Sequence, residues 1–244
     1  MRHLSRRERL GLAVLVTAVM LPAAGRAVDS MQITPSSSRA AVMRHHFDAA
    51  IGAVDAVIRG DLSEARSKAR IVRALPDPAG LPESGMPHLR ALRAEAERGE
   101  KAADLEQAAA ATASMLGACG DCHRAVGTMP AHPTPPEPKI GGVLGHMAQH
   151  KVAVDLLAQA LITPSSSLWM DGAEALATAP LHRGDLPGTA KASRDAMKAE
   201  ATIHALATRA LTTNDSAGRV LVYSKLIASC STCHAANGGA GPLP

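Results

Sequence analysis

Two five-residue segments of this chain share one spacing of cysteine and histidine. CGDCH begins at Cys119 and CSTCH begins at Cys230, and together they contain all four cysteines. C-x-x-C-H is the pattern by which a polypeptide attaches c-type haem. Each thiol forms a thioether with a vinyl group, and the histidine supplies a nitrogen to the iron. We therefore expect two covalently bound haem c groups, attached through the cysteines of both motifs with an adjacent histidine below each iron: Cys119, Cys122 and His123; Cys230, Cys233 and His234.

Other uses of a C-x-x-C pair fit this chain less well. A thioredoxin-like dithiol opens a helix after a strand, whereas each motif here closes a helical stretch. Paired zinc knuckles lie about 15–20 residues apart, but Cys119 and Cys230 are separated by 111 positions. A pair of disulfides would not require histidine directly after each second cysteine. Haem attachment remains the preferred interpretation.

The N-terminus has the organisation of a secretory signal peptide. Four arginines precede an apolar run over residues 10–21, which is followed by the small-x-small sequence Gly25-Arg26-Ala27. This pattern predicts a signal peptide over residues 1–27, cleaved after Ala27, and a periplasmic protein. The apolar run is short for a membrane span, so we expect no stable span after cleavage.

The charge balance changes once this segment is removed. The whole chain has a formal net charge of +4. Residues 1–27 hold five of its 26 basic and one of its 22 acidic side chains, so the remainder carries 21 of each. The basic character therefore belongs to the targeting segment, and no nucleic-acid partner is expected.

Composition and an internal repeat divide the remainder into two domains. Residues 127–139 contain five prolines, which predicts an extended linker between residues 28–126 and 140–244. A Met-x-x-His pair lies near the start of each part, Met43 with His46 and Met147 with His150, and each part ends in a C-x-x-C-H motif. We interpret this as a tandem duplication.

Apolar periodicity predicts helices throughout both parts. In the first, helices are expected over residues 40–59, from a capping box at Asp61 to before Pro76, after Pro87 to 98, and over 100–118. In the second, they are expected near 142–162, 166–178, 189–211 and 216–235. With no period-two strand pattern, the prediction is an all-α protein of two tandem four-helix bundles.

A four-helix unit with C-x-x-C-H near the end of its last helix resembles the class II cytochromes c, the cytochrome c-prime group. The resemblance covers most of each unit, although only the C-x-x-C-H motifs are strongly specific. It implies that any sixth iron ligand lies on the first helix of each unit. It also implies a possible homodimer, because class II relatives often dimerise through helix faces.

The Met-x-x-His pairs offer two candidates for that sixth position. Met43 and His46 share one face of their helix, as do Met147 and His150. His46 and His150 are preferred, since histidine is seldom placed on an apolar helix face without a role. Met43 and Met147 are the alternative distal ligands, and an open sixth site is the third possibility. His45 and His146 lack counterparts in the other unit and are weaker candidates.

These features predict an electron carrier and no enzyme. Two haem irons exchange single electrons with periplasmic redox proteins, which act as donor and acceptor, and the chain has no Ser/His/Asp set or paired catalytic carboxylates. Two alternatives remain. One is a gas-binding or gas-sensing protein with an open sixth site, and the other is a di-haem oxidoreductase.

Overall fold

The structure is a computed structural model that describes residues 35–131, 141–178 and 190–236, and every regular element within them is helical. The all-α prediction is therefore confirmed for these residues. The predicted signal peptide and residues 132–139 of the predicted linker lie outside them. The helices are α1 (Pro35–Ile58), α2 (Leu62–Ala74), α3 (Met86–Glu100), α4 (Leu105–Val126), α5 (Gly142–Ile162), α6 (Ser166–Thr178), α7 (Ala190–Leu211) and α8 (Ser216–Ala236), with a 3₁₀ turn at Glu83–Gly85 before α3.

Short-range signals set several helix ends in the first half. The Asp61 carboxylate accepts a hydrogen bond from the Glu64 backbone N–H at 2.9 Å, which confirms the predicted N-cap of α2. Asp104 caps α4 in the same way through the Gln107 N–H at 2.8 Å. Gly60 and Gly127, with φ of 78° and 68°, follow α1 and α4 in the left-handed conformation that glycine adopts without strain.

Burial repeats between the two halves. The buried positions of α1 recur in α5 and those of α2 recur in α6 when the numbering is shifted by the separation of His46 and His150. The buried positions of α3 recur in α7 at the separation of Cys119 and Cys230. Matched buried pairs include Ala53 and Leu157, Ile58 and Ile162, Ala69 and Ala173, Leu92 and Ile203, and Ala96 and Ala207.

The two helices that carry the motifs pack against each other. Gly117 of α4 lies against Val220 near the start of α8, so a late part of one helix meets an early part of the other. In addition, α4 contacts α5 and α8 contacts α1. Lys151 of α5 forms ion pairs with Asp155 at 2.6 Å and with Asp55 of α1 at 3.3 Å. The described helices of both halves thus share one hydrophobic cluster, and the division into two domains stays a prediction.

Among the described helices, none combines the length and the apolar character needed to cross a membrane.

Candidate haem-attachment sites

Both C-x-x-C-H motifs lie in the last turns of long helices. The first lies within α4, which continues past it to Val126, and the second lies within α8. The fourth helix was expected over residues 100–118, but α3 extends to Glu100 and α4 begins only after the Asp104 cap. The shift places the first motif inside a regular helix, so its cysteines, three residues apart, share one face.

His46 is buried in the first half without any hydrogen bond. Its side chain lies on α1 with 4% of the residue surface exposed, and neither ring nitrogen has a partner. Burial lowers the pKa of His46, and the Arg93 guanidinium lowers it further, whereas Asp77 opposes this change. His46 is therefore neutral at neutral pH and retains a nitrogen lone pair.

The first motif contacts both its own half and the other half. The Cys122 thiol faces the Gly85 carbonyl oxygen at 3.8 Å, at the turn that leads into α3. His123 donates its Nδ1–H to the Ile162 carbonyl oxygen, at the end of α5, at 2.7 Å. A carbonyl can only accept, so this bond sets the tautomer and leaves the lone pair on Nε2. An Nδ1–H bond to a backbone carbonyl is the usual support of a metal-bound histidine.

In the second half, one cavity contains the predicted ligands on both sides. His150 of α5 lies on its wall together with the cysteines and histidine of the second motif, and the cavity opens to solvent. Its lining consists of Ile58, Met147, His150, Lys151, Val154, Glu200, Ile203, Cys230, Cys233 and His234. The structure therefore places His150, Cys230, Cys233 and His234, the residues assigned to the second haem from the sequence, around one cavity.

Titratable groups of the second cavity are shifted mainly by burial. Burial lowers the pKa of His150 to about 4, although the Glu200 carboxylate opposes the shift. It also lowers the pKa of His234. The thiol of Cys230 has its pKa raised to about 12 by burial, and that of Cys119 in the first half is raised to about 12 as well. Reactive cysteines of dithiol enzymes have lowered pKa values, so this environment favours a structural or tethering role.

A buried carboxylate that the sequence did not single out lies in this cavity. One oxygen of Glu200, Oε1, is 3.0 Å from His146 Nε2, 3.1 Å from His204 Nε2 and 3.6 Å from His150 Nε2. Burial by itself raises the Glu200 pKa, but the close approach of His146 and the charges of His150 and His146 outweigh it, so the pKa lies below its ordinary value. Nothing in the local sequence around Glu200 marks it, because only the fold brings α7 beside α5.

The weaker ligand candidates differ between the halves. His45 is exposed on α1, whereas His146 is partly buried and its ring centroid lies 4.1 Å from that of His150. Met43 and Met147 are both partly buried, and Met147 lines the second cavity. Met147 thus remains an alternative ligand. His146 becomes a further candidate, which its position in the sequence did not suggest.

The residues present fit the expected haem groups. A buried polar atom without a hydrogen bond costs about 1–3 kcal/mol. His46 Nδ1 and Nε2, His150 Nε2 and His234 Nδ1 are all buried in this state. They lie on the helices that the sequence predicted to bracket each iron, and a haem iron would give their nitrogens a partner.

One subset of these side chains also has the donors of a different metal site. Ligand atoms of His146, His150 and Glu200 lie within 4.8 Å of one another. Two histidines and a carboxylate are the donor set of non-haem iron sites and of some zinc sites. Among the residues that the structure describes, such a set of donors occurs in the second half and not in the first.

Comparison of the chain with protein-family models, with curated proteins and with solved structures found no match.

Proposed function

We propose that this protein is an exported di-haem c-type cytochrome of class II type that transfers single electrons between periplasmic redox proteins. The observation that carries the proposal is the recurrence, at matched positions, of a buried histidine on the first helix and a C-x-x-C-H motif on the fourth. Motif and histidine are far apart in sequence in both halves. Their recurrence is explained by one cofactor that needs both.

Each group of residues has a defined part in this function. The cysteine pairs tether the cofactor, and His123 and His234 supply the proximal nitrogens. His46 and His150 supply the distal nitrogens. Haem iron supplies a one-electron ferric–ferrous couple. Two neutral imidazoles would saturate each iron, so its coordination would stay unchanged during electron exchange and exogenous ligands would be excluded.

The packed helices around the sites support this use. In the second half, apolar side chains of Ile58, Val154 and Ile203 line the same cavity as the ligands. Packed side chains of this kind restrict the movement of the imidazoles, so little rearrangement would accompany a change of charge. An enzyme would instead need an open ligand position, which two imidazole ligands would not leave.

The decisive experiment is the intact mass and optical spectrum of protein purified from cells that attach c-type haem. We expect a chain beginning at Val28 that carries two haems. Both irons should be low-spin when oxidised and when reduced, without rapid binding of carbon monoxide. One haem or none would overturn the proposal. Two haems with high-spin iron and immediate carbon monoxide binding would replace the electron carrier by the gas-binding alternative.

The histidine–carboxylate set of the second half favours a second candidate, a non-haem metal site. Elemental analysis of the same preparation separates the two. We expect iron in a ratio of two per chain, all of it accounted for by haem absorbance. Stoichiometric zinc, or iron in excess of haem, would support the second candidate instead.

A further inference from the structure

The two sites differ in charge at two pairs of structurally matched positions. Helices α3 and α7 bury the same positions when they are aligned through the cysteine motifs, and this alignment places Glu200 at the position of Leu89 and His204 at that of Arg93. A buried carboxylate in one half thus replaces an apolar side chain of the other. A guanidinium in the first half replaces an imidazole in the second.

Glu200 is held as an anion in the second site. Its residue surface is 5% exposed, it lines the cavity of His150, Cys230 and His234, and its Oε1 lies within hydrogen-bond distance of His146 and His204. Hydrogen bonds to a carboxylate favour its charged form. In the low effective dielectric of such a site, one charge acts strongly on its neighbours.

Arg93 has the opposite effect in the first site. Its guanidinium donates to the Leu75 carbonyl oxygen at 2.8 Å and pairs with Asp77 at 2.5 Å, while its Nε is buried without a partner. Asp77 is the more exposed partner, with 51% of its side chain in solvent against 32% for Arg93. Solvent therefore screens the anion more than the cation, in agreement with the larger influence of Arg93 than of Asp77 on the pKa of His46.

The sign of a nearby charge sets the direction of a redox shift. Reduction of ferric haem adds one negative charge. A neighbouring carboxylate therefore opposes it and lowers the reduction potential, whereas a guanidinium favours it and raises the potential. Because Glu200 and Arg93 lie at the two sites separately, their effects add in the difference between the haems.

We infer that the second haem has the lower reduction potential and the first the higher, and that Glu200 and Arg93 set this order. The inference rests on the proposed function. It gives electron transfer through the protein a direction: the donor delivers electrons to the second haem, and the acceptor takes them from the first. In the half-reduced protein, the electron then resides mainly at the first site.

The test is a spectroelectrochemical titration of the full-length di-haem protein. We expect two one-electron waves in the parent protein. Glu200→Gln, which keeps the side-chain shape, should raise the lower wave only. Arg93→Gln should lower the upper wave only. Each change should alter the electron distribution between the haems by about tenfold, which corresponds to about 59 mV for a one-electron couple.

Controls separate this charge effect from a loss of structure. Glu97→Gln removes an exposed carboxylate of α3 that pairs with Lys101, and should move neither wave. A full-length variant with serine at Cys230 and Cys233 should retain only the first haem, and its single wave should match the upper parent wave. That variant tests the order even where Glu200→Gln fails to fold.

The outcomes distinguish this inference from the proposed function. A preparation without two haems contradicts the proposed function itself. Two haems whose waves coincide, or whose lower wave belongs to the first site, overturn the charge assignment and leave the cytochrome proposal in place. The charge assignment is likewise overturned if neither Glu200→Gln nor Arg93→Gln shifts either wave.

Discussion

The two halves use the same helix order and burial pattern but finish their candidate sites differently. In the second half, His150 and the motif residues face one cavity. In the first half, His46 is influenced by Arg93 and Asp77, and Cys122 faces Gly85, so the contacts of both converge on the segment from residue 77 to 93. The two halves thus share the helices that carry the predicted ligands and differ in the charged residues around them.

Each half also contributes to the other half's site. His123 of the first motif donates to the Ile162 carbonyl, at the end of α5, and Ile58, at the end of α1, lines the cavity of the second motif. Ile58 and Ile162 occupy matched positions. An isolated half would therefore lose one wall or one hydrogen bond of its candidate site.

The largest effect is expected from removing a cysteine pair. Replacing Cys119 and Cys122 by serine, or Cys230 and Cys233, should leave one haem per chain in the intact mass. The buried imidazoles of the altered half then have no iron to bind, so that half should unfold at a lower temperature. The matched control is the serine pair in the other half. Retention of two covalent haems in either variant would contradict the motif assignment.

The distal ligands should respond unequally. His46→Ala should open the first iron and produce high-spin absorption, since neighbouring His45 is exposed. His150→Ala should leave the second iron low-spin, because the His146 ring lies 4.1 Å from that of His150 and takes its place. Only the double change of His146 and His150 should open that iron.

Spectra of these variants also decide the methionine alternative. A near-infrared band of methionine–iron bonding in the parent protein, lost on changing Met43 or Met147, would show that the ligand assignment is wrong. Electron transfer would stand in that case, at higher potential. High-spin absorption in the His150→Ala variant alone would contradict the proposed replacement by His146.

A third, smaller effect concerns the packing of α4 on α5. A Cβ at Gly120 would collide with the Leu161 carbonyl oxygen and meet Pro164 Cγ at 3.3 Å. Gly120→Ala should therefore lower the free energy of unfolding by about 1–3 kcal/mol, as overpacking does, despite the better helix propensity of alanine. Denaturant unfolding measures this loss.

The matched position in the second motif is the natural comparison. Ser231 carries a side chain there and donates to the Ala228 carbonyl at 2.7 Å, so the helices around it leave more room. Ser231→Gly should change stability much less than Gly120→Ala. As a control for the added methyl group, Gly141→Ala meets no atom within 4 Å and should cost only the poorer N-cap that alanine gives α5. Equal losses at Gly120 and Ser231 would contradict the closer approach of α4 to α5.

Sequence patterns predicted much of the helical framework because its determinants are local. Asp61, Gly60 and the apolar periods define helix ends, and α5 and α6 begin and end at the predicted residues. The predicted start of the fourth helix at residue 100 is wrong, because Asp104 caps α4 although residues 100–103 have a helical composition. Side-chain capping outweighed propensity at that point.

The ligand candidates were also accessible from sequence, whereas their electrostatic surroundings were not. Spacing identified His46 and His150, whose burial agrees with the role predicted for them. Glu200 and Arg93 belong to helices that come near these histidines only in the folded chain. Alignment of α3 with α7 through the cysteine motifs pairs Glu200 with Leu89 and His204 with Arg93. Whether these side chains reach a candidate site depends on which face each helix buries.

The smallest effect tests a surface difference between the halves. Glu100 of α3 accepts hydrogen bonds from two arginines of α2, Arg70 at 2.9 Å and Arg73 at 2.8 Å. Both bonds lower the pKa of Glu100, and the bond from Arg70 has the larger effect. The corresponding residue of α7 is Leu211, which cannot form such pairs.

A carboxyl whose pKa is lower in the folded than in the unfolded chain stabilises the fold above its ordinary pKa, and this contribution is lost as the pH falls through the folded value. Glu100→Gln should therefore lower the unfolding temperature slightly at pH 7, by less when salt screens the pairs, and should have no effect below the folded pKa. A loss that persists in acid would show that Glu100 acts through packing of its side chain, and the two surfaces would then differ in shape more than in charge.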